Sequence, residues 1–247
     1  MQANKEEEEE DADVGIKRRR KMEGGAEIKS VIEELSLMFK LKPVVTRARN
    51  GEEKDEPRDE AFHVPTRAFL SLCSLVLEVL DKVGPTMAVL RLDVHRNVQR
   101  VELFKESDPS KYSNLAEMIK KEAGEGNARK SNSCSKAIVW LTRSMDLMVA
   151  LLQRLANDPG QKMEQAVEES YNVTLKPWHG WISSAAFKVA LQLVPETKTF
   201  INFLKTKDDS YENFKEDTQT FVSLISPVLE EIHCILKVYG LDRLKSI

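Results

Sequence analysis

Apolar residues recur at three- and four-residue intervals through most of the 247-residue chain, and no strand-length stretch alternates apolar with polar. The pattern predicts a first short helix over about 27–39, where Ile28, Val31, Ile32, Leu35, Leu37 and Met38 are apolar. After Pro65 the signal strengthens. Phe69, Leu70, Leu72, Cys73, Leu75, Val76, Leu77, Val79 and Leu80 cover most of a helix circumference, the mark of a central, buried element. Gly84-Pro85 ends that helix, and Pro85 suits the first position of the next, which runs through Val101 and Phe104 to a break at Ser107-Asp108-Pro109. A further helix is expected over about 113–122. The richest apolar run, Ala137 to Leu155, is interrupted by Arg143, Asp146 and Arg154, so it reads as a buried helix of a bundle rather than a bilayer span. A turn at Asn157-Asp158-Pro159-Gly160 leads to helices expected at about 162–171, 175–193, 196–203 and 211–239. The predicted class is all-α. Residues 47–60, polar with Gly51 and Pro57, read as a surface loop. Residues 1–25 hold few apolar positions and read as a disordered charged tail, leaving 26–247 as one domain.

Composition narrows the function more than the fold. A net charge of −3 and a pI near 5.9 speak against a dedicated nucleic-acid binder. The balance hides an acidic run, Glu6 to Glu10, and a basic run, Lys17 to Lys21, of the kind that is usually solvated. Three scattered cysteines, with no C-x-x-C pair, suggest neither a zinc site nor a disulfide framework; Cys73 and Cys234 fall in apolar helical patterns and read as small core residues. The four histidines show no metal spacing, and no cofactor is expected. The stretch Gly124 to Ser131 has no glycine before its lysine and no preceding strand, unlike a phosphate loop, and no G-x-S-x-G elbow occurs. The N-terminus has no charged-then-apolar signal, so a reducing cytosol is the expected compartment.

Three clusters could carry recognition. Asp93, Asn97 and Arg100 fall on one helix face at i, i+4 and i+7. An anion, an amide and a cation together suit a polyhydroxylated group whose hydroxyls both donate and accept. The same spacing equally describes a solvated stripe in which Asp93 pairs with Arg96 or Arg100. Trp140 precedes Arg143 on the apolar helix; an indole face can stack on a sugar while Arg143 adds donors at a pocket rim, or Trp140 can be core. Pro177-Trp178-His179-Gly180-Trp181 holds two of the chain's three tryptophans around a histidine that could donate to a carbonyl in apolar surroundings.

Taken in order, LDVHRNVQR (92–100), WLTRSM (140–145) and WHGW (178–181) resemble the three signature segments of the glycolipid transfer protein family, with similarity over roughly 60–240. That resemblance implies an all-α, two-layer helical sandwich that takes lipid chains between its layers. It implies roles residue by residue: Asp93 for the sphingolipid amide and headgroup, Asn97 for the sugar, Trp140 for sugar stacking, His179 for the ceramide amide and Trp181 for membrane contact. Arg100 stands where a lysine is typical, Arg143 matches a basic position near the headgroup, and Trp178 replaces a tyrosine. The ceramide-1-phosphate branch carries a lysine at the position of Asn97 and a further arginine where this chain has Leu147, so a glycosylceramide is the favoured cargo. The tail and the 47–60 loop are like those of plant representatives. The expectation is therefore a monomeric, non-enzymatic carrier that moves a glycosylceramide between membranes and touches their surfaces transiently. The alternatives are a ceramide-1-phosphate carrier and a lipid-sensing scaffold.

Overall fold

The computed structural model describes residues 28–41, 62–206 and 208–246; the expected tail and the 47–60 loop lie outside them. The described residues form nine α-helices and no strand, only one isolated bridge between Pro65 and Asn114. They are α1 Ile28–Leu41, α2 Thr66–Val83, α3 Ala88–Glu106, α4 Leu115–Gly124, α5 Cys134–Asn157, α6 Met163–Thr174, α7 Trp181–Leu191, α8 Thr197–Leu204 and α9 Tyr211–Val238.

Local chemistry accounts for most boundaries. Gly84 takes φ 96°, a left-handed conformation that glycine adopts freely, and there α2 stops. Pro85 opens a single 3₁₀ turn before α3. Asn114, Ser133 and Ser210 cap α4, α5 and α9 by accepting hydrogen bonds from the backbone of Ala116, Lys136 and Asn213. The cap of α5 is doubled from outside the helix. The buried Glu122 carboxylate accepts from the backbone N–H groups of Cys134 (2.9 Å) and Ser135 (2.6 Å), placing an anion at the positive end of the longest core helix but one.

The core is one contiguous apolar cluster with α5 at its centre; α2, α3, α4, α6 and α9 all pack on it. Phe69, Phe214 and Phe221 are among its largest fully buried side chains. Helix α1 closes the molecule by laying Ile28, Val31 and Leu35 on α9 and α2. The salt bridge from Lys29 Nζ to Asp209 Oδ1 (2.7 Å) ties α1 to the turn that enters α9. The all-α, two-layer helical architecture is as expected.

Two expectations need correcting. The single helix expected over 175–193 is broken. Pro177 sits in a 3₁₀ turn, Lys176–Trp178, and His179 and Gly180 are extended before α7 begins. Pro177 has no backbone N–H to donate to the Val173 carbonyl, so the α-helical ladder stops there, and this local rule overrides the apolar periodicity. Cys234 is exposed rather than in the core. Ile232, Ile235 and Leu236, at helical spacing, take the buried face of α9 and turn position 234 outward.

Candidate functional site

The extended backbone at His179 (φ −81°, ψ 133°) turns the chain out of α6 and back into α7, setting the imidazole against α5 and α6. Its ring centroid lies 5.7 Å from that of Trp140 on α5 and 5.4 Å from that of Tyr171 on α6. His179 Nδ1 is 3.2 Å from the Tyr171 hydroxyl, which also lies 3.3 Å from Ser184 Oγ on α7. Burial, and then the nearby positive charge of Arg143, pull the His179 pKa down, so the imidazole is neutral at pH 7. The phenol has one proton. When it is donated to Nδ1 and Ser184 donates to the phenol oxygen, the ring proton sits on Nε2, which is then a donor for a carbonyl; when the phenol donates to Ser184 Oγ, Nδ1 carries the ring proton.

Arg143 is only 4% exposed, not at a rim. Its guanidinium carbon lies 4.8 Å from the centroid of the Trp140 ring and 4.4 Å from that of Trp178, within cation–π range of both. In plane, Nη1 donates to the Leu244 carbonyl (2.7 Å) and Nη2 to the Asp242 carbonyl (2.8 Å). Burial lowers its pKa to about 10 while Asp146 and Asp242 oppose the fall, and it stays charged at neutral pH.

On α3, which packs against α5, Asn97 is buried, and its Oδ1 accepts from Arg100 Nη1 at 3.1 Å. The side-chain N–H groups of Asn97 have no partner among the described residues. Asp93, one turn earlier, is exposed and makes neither of the pairings that its spacing allows with Arg96 or Arg100. The fold thus sets Trp140 against both His179 and Arg143, Arg143 against Trp178 as well, and joins Asn97 to Arg100, leaving Asp93 uncommitted.

Beside this cluster, α7 is apolar yet buries none of its residues. Trp181 is 80% exposed, and Ile182 and Val189 are exposed with it. The helix rests chiefly on α6, where Tyr171 and Phe187 stack with centroids 3.5 Å apart. No described helix is long and apolar enough to cross a membrane.

The sequence did not point to Tyr171 or to the C-terminal segment 241–246. Tyr171 occupies an ordinary core register of α6, and the segment acts through backbone carbonyls, which carry no residue signature. The anion site at the start of α5, beyond the Gly124 to Ser131 stretch, is already filled by Glu122.

A family model, Glycolipid transfer protein (GLTP), matches residues 64–206, and Glycolipid transfer protein 3 of Arabidopsis thaliana is 50% identical over 220 residues, covering 89% of this chain and 92% of that protein. The chain belongs to the glycolipid transfer protein family. Among solved structures, one described as showing how FAPP2 selects simple glycosphingolipids using the GLTP fold matches with a TM-score of 0.67 at 29% identity, over 76% of this chain and 92% of that one. Mouse ceramide-1-phosphate transfer protein in its apo form shares the fold with a TM-score of 0.71 at 18% identity, over 88% of this chain and 99% of that one. Helix α1 and the whole of α9 of this family member lie outside the stretch matched by the family model and nonetheless complete its core.

Proposed function

We propose that this protein carries a sphingolipid with a sugar headgroup between membrane surfaces, without making or breaking bonds, and that 26–247 is the carrier domain. The observation that carries the reading is the neutral, half-buried His179 between Trp140 and Tyr171, with its Nε2 available to a ceramide carbonyl. Asp93, exposed and uncommitted, accepts the lipid's amide N–H and a headgroup hydroxyl. Asn97 gives its free N–H groups to the sugar with Arg100 behind it, and Trp140 stacks on the ring. Trp181 and Ile182 enter the membrane interface, where an amphipathic indole is stable. The hydrocarbon chains pass between the helix layers, and each buried CH₂ contributes about 0.8 kcal/mol relative to water.

The relatives' names support a sphingolipid cargo, and uncharged Asn97 supports a sugar over a phosphate. A phosphate needs convergent cations to offset its desolvation. Transfer between vesicles tests this with glucosylceramide, galactosylceramide, ceramide-1-phosphate and a glycerolipid in competition. The glycosylceramides should be transferred fastest. Asp93→Val should abolish their transfer with helical content unchanged, because the lipid amide would be left unpaired. Faster transfer of ceramide-1-phosphate would reverse the headgroup reading, and tight binding without transfer would favour a lipid-sensing scaffold.

A further inference from the structure

The segment 241–246 follows α9 and crosses the site just described. Leu241 anchors its start: the side chain is buried, and its backbone N–H donates to the Leu236 carbonyl at 2.7 Å. Next to it, the Gly240 carbonyl accepts from Arg129 at 2.8 Å. Asp242 and Leu244 then give their carbonyls to Arg143, one to each terminal nitrogen. Ser246 closes the far end on the two neighbours of His179: its N–H donates to the Trp178 carbonyl and its hydroxyl accepts from the Gly180 N–H, both at 2.9 Å.

A guanidinium recognises phosphate through a fork of parallel in-plane N–H groups. In Arg143 each terminal nitrogen has one N–H committed to a carbonyl, and the rings of Trp140 and Trp178 both lie within cation–π distance of the buried guanidinium. A phosphate that took both committed terminal N–H groups of Arg143 would strip Asp242 and Leu244 of their donor in a buried setting, at the cost of two orphaned carbonyls. A neutral hydroxyl-bearing headgroup asks nothing of Arg143, and the segment's hold on Trp178 and Gly180 positions His179 for the ceramide carbonyl that both lipids share.

We infer that residues 241–246 form a specificity strap, which withholds the Arg143 guanidinium from the ligand and so biases the headgroup site towards a sugar and against a phosphate. Arg143 is accordingly a positioning residue, not a ligand-binding one. This inference rests on the headgroup reading proposed above.

The test is the transfer ratio of ceramide-1-phosphate to glucosylceramide from one donor vesicle. It is measured for the full chain, for a deletion of 242–247, for Arg143→Gln, and for the deletion combined with Arg143→Gln. Removing the strap should lower total transfer but move the ratio towards phosphate by on the order of tenfold, the scale of one recovered charge-assisted contact. That shift should vanish in the Arg143→Gln background, which a merely structural role of the segment would not produce. An unchanged ratio in a deletion protein that still melts cooperatively overturns the strap, as does a shift that persists without Arg143. Should the deletion protein fail to fold, Ser246→Ala removes only the hydroxyl clamp on Gly180. It should shift the ratio about twofold in the same direction, and no shift overturns the idea. Failure of the headgroup reading itself would appear in the unmodified chain, as a preference for ceramide-1-phosphate; failure of the strap appears only between variants.

Discussion

At the scale of single residues, the site is a set of groups whose protonation and hydrogen bonding are fixed by neighbours the sequence does not place beside them. His179 is the clearest case. Burial and Arg143 disfavour its charged form, so its folded pKa lies below the ordinary value of 6.5. The sign follows from linkage. Above pH 6.5 the group is neutral folded or unfolded and contributes nothing. As pH falls below 6.5, the unfolded chain takes up the proton first and the folded state loses stability until the folded pKa is passed. Melting temperature should therefore decline between pH 6.5 and 5, and His179→Gln should reduce that part of the decline. A decline of the same size in His179→Gln would assign it to other groups. Asp93, Asn97 and Trp140 could be singled out from sequence because residue types at helical spacing survive into the fold, and His179 because two tryptophans flank it. The immobilisation of Arg143 could not, since backbone carbonyls from a distant segment hold it.

At the scale of elements, helix existence followed from apolar periodicity, and errors arose where a local rule competed with it. The apolar register ran unbroken from Leu175 to Leu193, yet Pro177 interrupted it and created the extended pair His179-Gly180 on which the site depends. Periodicity also cannot tell which helix carries charge at its end. Glu122 belongs to α4 by sequence but serves as the N-terminal anion of α5. Glu122→Ala should strip two backbone N–H groups of a charged acceptor, each worth roughly 1.5–3 kcal/mol. A drop in stability by denaturant titration of at least that for one bond is expected, with the ratio of lipids transferred unchanged. A neutral outcome would mean that water replaces the carboxylate at no cost.

At the scale of the whole molecule, the family match ends before the chain's own closure does. Helix α1 precedes residues 64–206 and all of α9 follows them, yet both contribute fully buried side chains to the shared core. Leu35 on α1 is completely buried. Leu35→Ala should cost about 2–5 kcal/mol, the usual range for a core leucine, and unfolding should remain a single transition if α1 belongs to the cooperative unit. A loss below about 0.5 kcal/mol, the scale of a neutral surface change, would instead show α1 to be a loosely held appendage. Chain-wide patterning made this closure partly legible, because Ile28, Val31 and Leu35 already mark a one-sided helix; which face of the bundle it covers was set by packing alone.

Helix α7 has apolar side chains facing out and a single aromatic stack beneath it, so little free energy holds it folded in water. Few buried contacts mean a shallow local unfolding equilibrium. Amide hydrogens of 181–191 should therefore exchange with deuterium orders of magnitude faster than those of α5, through openings too small to register in a melting curve. Added vesicles should slow that exchange selectively. Equal protection of α7 and α5 in lipid-free buffer would mean that the helix is held by more than its visible contacts. Where exchange is fast, proteases also cut first, so a limited digest should nick the chain within 181–191 and leave two fragments that stay associated through the core.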